Sequence, residues 1–176
     1  MKKILQKEEK VLRQTAKEIT LAEIKSPKIQ KILKEMSSSL KTQDDGVAIA
    51  APQIGYALSI FVVSGKIFDE DFTRGEGVPA NKKNLPKDLV FINPKISRLS
   101  KEKDWVPEGC LSVRWLYGKT YRSKKATVTA YDENGKKFTR GASGLLAQIF
   151  QHETDHLKGV LFIDHAKDIN EELPNY

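Results

Sequence analysis

The chain holds one cysteine, Cys110, among 176 residues. A single thiol cannot close a disulfide within the chain, so a cystine-stapled scaffold is excluded. No apolar run approaches the ~20 residues that a membrane helix needs. The opening residues, MKKILQKEEKVLR, carry charges where a secretory signal requires an unbroken apolar stretch. A soluble, cytoplasmic protein without membrane contacts is therefore expected. Internal repeats and low-complexity linkers are also absent. Histidine is scarce: there are three, and two of them fall within QHETDHLKG, residues 151–159.

What is present suits one globular domain spanning 1–176. Hydrophobic residues make up 39% and charged residues 30%, enough apolar material for one sizeable core. The formal charge of +7 comes from scattered lysines with no accompanying nucleic-acid motif. That pattern predicts a solvated basic surface and no specific nucleic-acid partner. Transient association with an RNA-rich assembly such as the ribosome is compatible with it.

SPKIQKILKEMSSSLKTQ reads as a helix. Ser26 can cap it, Pro27 suits the first position, and Ile29, Ile32, Leu33, Met36 and Leu40 form one stripe. DDGVAIAAPQIG reads as loop, and residues 58–64 as a buried strand. Residues 65–88 are polar, with Gly75, Gly77, Pro79 and Pro86, and read as a long mobile surface loop or insertion. Residues 89–100 suggest one strand, or two separated at Pro94. Residues 125–140 suggest a hairpin with a tight turn at Asn134-Gly135. A last helix over 143–159 is expected to start at Ser143 as cap and stop at Gly159. Strands in the middle framed by helices give an α+β class with mostly antiparallel sheets around that late helix, and an N-terminal helix.

On a helix, His152 and His156 share a face and can present two imidazoles to one ion. Glu153 is displaced by roughly 100° and can reach a water without being a ligand. Leu145 and Ile149 lie on the histidine side, which points the pair inward. The plainer alternative is a helix with surface or hydrogen-bonded histidines. A hydrolytic metal wants three protein ligands and an open position. Cys110, His165, Glu108 and Asp155 are each possible third ligands by residue type. Gln53 is the one amide in GVAIAAPQIG; it could serve an oxyanion or simply tie that loop down.

GVAIAAPQIG (46–55), EGCLS (108–112) and QHETDHLKG (151–159) resemble, in order and spacing, the three signature motifs of the peptide deformylase family. The resemblance extends over most of the chain outside residues 65–88. It implies a metal held by Cys110, His152 and His156, with Glu153 as general base and acid. It implies that Gln53 and the backbone N–H of Leu111 stabilise the oxyanion. The implied substrate is the N-terminal formyl-methionine of a newly made polypeptide, hydrolysed to formate and a free amine. The implied ion is one divalent cation, Fe²⁺ natively, with Zn²⁺, Ni²⁺ or Co²⁺ as substitutes. Val47, Leu145 and Ile149 are candidates for the methionine subsite, with core packing as the alternative for each. Ala48, Glu108 and Tyr117 are further candidates for substrate contact, with an extended peptide lying along a strand edge near Val47 and Tyr117.

The first motif departs from the family at Ala48 and Ile49, where glycine and leucine are usual. Arg114 stands where proline usually follows the second motif. These changes touch no expected ligand and bear on substrate preference. A monomer is expected. The nearest rival, a general metallo-amidase or peptidase with the same helix motif, gives Cys110 no role.

Overall fold

The computed structural model describes residues 2–174. In chain order its elements are α1 (Leu21–Ile24), α2 (Pro27–Lys41), β1 (Ala48–Ala50), β2 (Ile60–Val63), β3 (Leu89–Leu99), β4 (Lys103–Gly109), β5 (Leu116–Ser123), β6 (Lys125–Tyr131), β7 (Lys137–Ser143), α3 (Gly144–Leu157) and β8 (Lys167–Glu171). One antiparallel sheet has the order β1-β2-β3-β6-β7 and a second has the order β4-β5-β8. The α+β class read from the sequence is the observed one.

The five-stranded sheet is covered on both faces near β2. Ile60 and Val62 pack with Ile29, Ile32, Met36 and Leu40 of α2, while Phe61 and Val63 pack with Ala147, Ile149 and Phe150 of α3. A strand buried on both faces must be apolar throughout, which is why LSIFVVS shows no alternation. Each such side chain contributes about 1.5–3 kcal/mol by leaving water. α2 starts as its sequence predicts: Ser26 Oγ accepts the Ile29 N–H at 3.3 Å, and Pro27 occupies the first helical position.

Several local expectations change. Residues 48–54, read as loop, form β1 and a 3₁₀ turn over Ala51–Ile54. Ala48 and Ala50 pack against the α3 side of the sheet and Ile49 against the α2 side, so all three residues are core. β3 is continuous across Pro94, but its pairing with β6 shifts register between Ile92 and Lys95. There Asn93 takes φ +48° and its amide bonds both the N–H and C=O of Ile19. The hairpin turn spans Asp132 to Lys136: the Gly135 N–H bonds Asp132 O, and Asp132 Oδ1 accepts from Asn134 and Lys136. Only Gly135 has positive φ, so this is a longer turn closed by a left-handed glycine, not a two-residue one. Ser143 is not a side-chain cap. It is the last residue of β7, paired with Lys125, and its hydroxyl bonds no helix N–H.

Residues 65–88 do not simply hang from the surface. They begin with a 3₁₀ turn over Gly65–Phe68, where the Gly65 N–H bonds Asp88 Oδ1. Lys66 Nζ donates to Asp44 O at 2.7 Å, and Arg74 Nη2 donates to Pro107 O at 2.6 Å. The segment thus spans from the residues before β1 to the end of β4.

The C-terminus of α3 is fixed by close packing. Gly159 has φ +74°, and a Cβ there would lie 2.6 Å from Arg13 O. Gly159→Ala is expected to combine left-handed strain with a backbone clash and destabilise the protein by about 2 kcal/mol or more. Denaturant unfolding measures this, and an unchanged midpoint would contradict the packing described.

Candidate metal centre

β4 delivers Cys110 into a turn at the end of the three-stranded sheet. The turn is closed by the Val113 N–H on Cys110 O, and the Ser112 N–H points at Cys110 Sγ at 3.4 Å. α3 runs past this turn and presents His152 and His156. Cys110 Sγ lies 3.2 Å from His156 Nε2, and one ligand atom from each of the three residues falls within 4.8 Å of the others. Among the described residues this is the one such Cys/His/Asp/Glu group. His165, also considered as a ligand, instead lies 3.4 Å from Asp155, and Asp155 accepts from Arg122.

Glu108 is buried between these elements. Its Oε1 meets His152 Nδ1 at 2.6 Å and Arg122 Nη2 at 2.7 Å. Its Oε2 accepts from Thr120 Oγ1 at 2.6 Å, Gln148 Nε2 at 3.1 Å and Arg122 Nε at 3.1 Å. Both oxygens are saturated by these donors and hold His152 in place, and Glu108, expected from sequence at the substrate, also lines the cleft. In the neutral ring, with Nδ1–H held toward Glu108, His152 Nε2 carries the lone pair that a metal ion would take in place of a proton. Burial opposes the charge on Glu108, but His152 and Arg122 outweigh it and hold the carboxyl far below the usual range. Burial likewise opposes charge on His152, and Glu108 overrides it, raising the imidazole well above its ordinary value. His156 is pushed well below, by burial and then by the neighbouring His152.

Glu153 faces the same space. Burial raises its carboxyl to about 7, with Glu108 and Asp155 adding to the rise against His152. Glu153 Oε2 and His156 Nδ1 are buried and have no hydrogen-bond partner among the described residues. A soft sulfur and two imidazoles, next to a buried carboxylate with an unsatisfied oxygen, fit a divalent transition-metal ion with a nearby water.

Of the two roles weighed for Gln53, the structure shows the tie to its own loop, with the amide nitrogen turned toward the Cys110 turn. Its Oε1 accepts the Ala50 N–H at 2.8 Å, fastening the turn after β1, while Nε2 donates to Ser112 Oγ at 3.0 Å and faces Cys110 Sγ at 3.7 Å. The Leu111 N–H has no bonded partner among the described residues, whereas its C=O accepts from Gln6 Nε2. A cleft of about 390 Å³ opens here, and Val47, Ala48, Glu108, Tyr117, Leu145 and Ile149, the residues expected from sequence at the substrate, are among those that line it. Tyr117 lies on β5, the central strand of its sheet, and is paired on both sides, so it offers no free edge. β1, at the end of the larger sheet, does. Arg114 sits at the rim, bonded to Asp45 at 2.5 and 3.0 Å and to Gln43 at 3.0 Å.

Sequence reasoning missed Arg122, Gln148, Ser112 and Arg74. Arg122 had a signal. In LYGKTYRS, Gly118, Thr120 and Arg122 alternate with exposed Lys119 and Tyr121, which places Arg122 on the buried face.

The chain resembles known proteins over nearly all its length. The family model described as polypeptide deformylase matches residues 1–172. Peptide deformylase 2 of Clostridium acetobutylicum is 37% identical over 164 residues, covering 93% of this chain and 94% of that one. The crystal structure of a peptide deformylase from Synechococcus elongatus in complex with actinonin superposes with a TM-score of 0.76 at 32% identity, covering 95% of this chain and 79% of that one. A Met-Ala-Ser-bound peptide deformylase from Acinetobacter baumannii gives 0.77 at 26% identity, covering 92% and 97%.

Two expectations follow. Glu108→Gln, which keeps the shape but removes the charge behind His152, is expected to weaken metal affinity about 10–100-fold in chelator competition; unchanged affinity would remove its orienting role. In the metal-free protein, a Glu153 carboxyl raised to about 7 favours the folded state below its unfolded value. That contribution, on the order of 3 kcal/mol, is lost as pH rises through the folded value. Glu153→Gln should remove this part of the slope; an equal slope in both proteins would contradict the assigned burial.

Proposed function

The chain belongs to the polypeptide deformylase family, and from that premise we propose that Cys110, His152 and His156 hold one divalent cation and that Glu153 moves the proton. The enzyme hydrolyses the N-formyl amide of the formyl-methionine that begins newly made polypeptides, releasing formate and a free amine. The observation that best supports the assignment is the approach of the Cys110 sulfur to the imidazoles of α3 beside a buried, unpartnered carboxylate. A cation at these three residues supplies Lewis acidity, lowering the pKa of water and polarising the formyl carbonyl. We take it to be Fe²⁺, with Zn²⁺, Ni²⁺ or Co²⁺ as substitutes that the same donors accept.

The remaining steps belong to the chain. Glu153, whose carboxyl lies near neutrality, takes a proton from the attacking water and returns it to the departing nitrogen. The Gln53 amide and the Leu111 N–H serve the oxygen that becomes negative. Glu108 and Arg122 keep His152 from turning away. The methionine side chain is received by Val47, Leu145 and Ile149, with Ala48 beside them, and the peptide backbone adds to the free edge of β1. Backbone pairing of this kind tolerates many following sequences.

The protein acts as one catalytic domain and a monomer in the cytoplasm, and its lysine-rich surface allows transient ribosome association. Among the described residues no helix is long and apolar enough to cross a membrane.

Formate release from formyl-Met-Ala-Ser by anaerobically metallated enzyme tests the reaction, with acetyl-Met-Ala-Ser as comparison. Equal hydrolysis of both would favour a general amidase. Glu153→Ala should retain the metal and lose turnover about 10²–10⁴-fold, whereas metal loss would mean that Glu153 is a ligand. Cys110→Ser should weaken metal binding or change the preferred ion, read by elemental analysis. A fully metallated, equally active variant would overturn the ligand set.

A further inference from the structure

Two arginines line the cleft without a part in the reaction: Arg114, paired with Asp45, and Arg74, which has no ion pair among the described residues. It comes from the 65–88 segment and lines the cleft together with Gly75, Pro107, Leu145 and Gln148. Its Nη2 makes both of its bonds, to Pro107 O at 2.6 Å and to Gln148 Oε1 at 2.9 Å. Both acceptors are neutral. The N–H groups on Nε and Nη1 have no partner among the described residues, and neither does the charge. Of the carboxylates beside the cleft, Asp45 is paired with Arg114 and Glu108 with Arg122 and His152, while Glu153 and Glu172 also line it and form no ion pair with Arg74. Asp44 and Glu76 are exposed and form no ion pair with Arg74.

The place of Arg74 along the substrate follows from the strand edge. The C-terminal end of β1 leads into the turn that carries Gln53 to Cys110 and Ser112, so the formyl group belongs there. A peptide on the β1 edge then runs back toward Val47 and Asp45. Its first side chain enters the wall formed by Val47, Leu145 and Ile149. In an extended chain, alternate side chains share a face, so the third residue points to the same wall about 7 Å further on. Gln148, which holds Arg74, lies one helical turn before His152 on that wall. The second residue points the other way.

We propose that Arg74 is a specificity-determining residue that favours formyl-methionyl peptides with an acidic third residue. The proposal rests on the deformylase reading and names a substrate class within it. A guanidinium without an ion-pair partner, exposed at the cleft rim, attracts a carboxylate and repels an ammonium, and the attraction is screened by salt.

The test uses metallated enzyme and C-terminally amidated peptides formyl-Met-Ala-Glu, formyl-Met-Ala-Gln and formyl-Met-Ala-Lys, with formyl-Met-Glu-Ala and formyl-Met-Lys-Ala as positional controls. The wild-type kcat/KM ratio of Glu to Lys at the third residue should be about fivefold or more at low salt and shrink with added salt. Arg74→Gln should bring it close to one, and Arg74→Lys should retain part of it. The ratio at the second residue should be small and alike in all three proteins. Because each ratio is internal to one enzyme sample, a partly destabilised variant still reports. Equal third-position ratios in wild type and Arg74→Gln, or equal ratios at the two positions, would overturn the proposal and leave the deformylase reading intact. Failure to turn over even the neutral peptide would overturn that reading, and the proposal with it.

Discussion

The carboxylate of Glu108 is the point on which the site depends. It collects donors from β5 through Thr120 and Arg122, and from α3 through Gln148 and His152. The strand that carries it ends one residue before Cys110. One buried charge therefore sets the distance between the sulfur-bearing turn and the imidazole-bearing helix. Replacing such a pair with apolar groups often costs little stability, whereas removing one partner alone is costly. The value of the arrangement lies in geometry: it fixes a tautomer and a ring orientation that packing alone would leave free.

Around that point the two sheets play different parts. The larger one, buried between α2 and α3 at β2, is the rigid support, held by Phe61, Phe91 and Phe150 in mutual contact. The smaller one brings Cys110 and Arg122 but is thinly covered, with Trp105 and Tyr121 exposed on its outer face. α3 touches both and carries the reactive groups at its C-terminal half. Burial of this half explains why Glu153 and His156 depart so far from their solution behaviour. The same burial that makes the helix stable makes its ionisable groups reactive.

The sequence was most informative where residue chemistry and spacing coincide. Two histidines four apart, a lone thiol in a turn-forming setting and an amide in a small-residue segment led to the groups that the structure brings together. Long apolar stripes gave α2, β2 and most of α3. It was least informative where partners are distant. Nothing local distinguishes Glu108, saturated by five donors, from an acid open to substrate. β4, with Pro107 and three charges, and β8, exposed along its length, lack the alternation that marks a strand. Ser143 looked like a cap because cap chemistry was right, but its backbone was already committed to β7. Arg74 was hidden in a polar stretch whose composition says loop and whose hydrogen bonds say wall.

β1 has a consequence of another kind. An unpaired strand edge is a standing invitation to intermolecular sheet growth, and proteins usually blunt it with charge, proline or twist. Here the edge is only Ala48–Ala50, two alanines around one isoleucine, and the Cys110 turn and the Gly75 bend line the same cleft. In the binding mode proposed above, the occupant of that cleft is a single extended chain terminus and not the sheet of a folded neighbour. On that reading the cleft would act as a filter for topology, keeping a sticky edge available for turnover while shielding it from self-assembly.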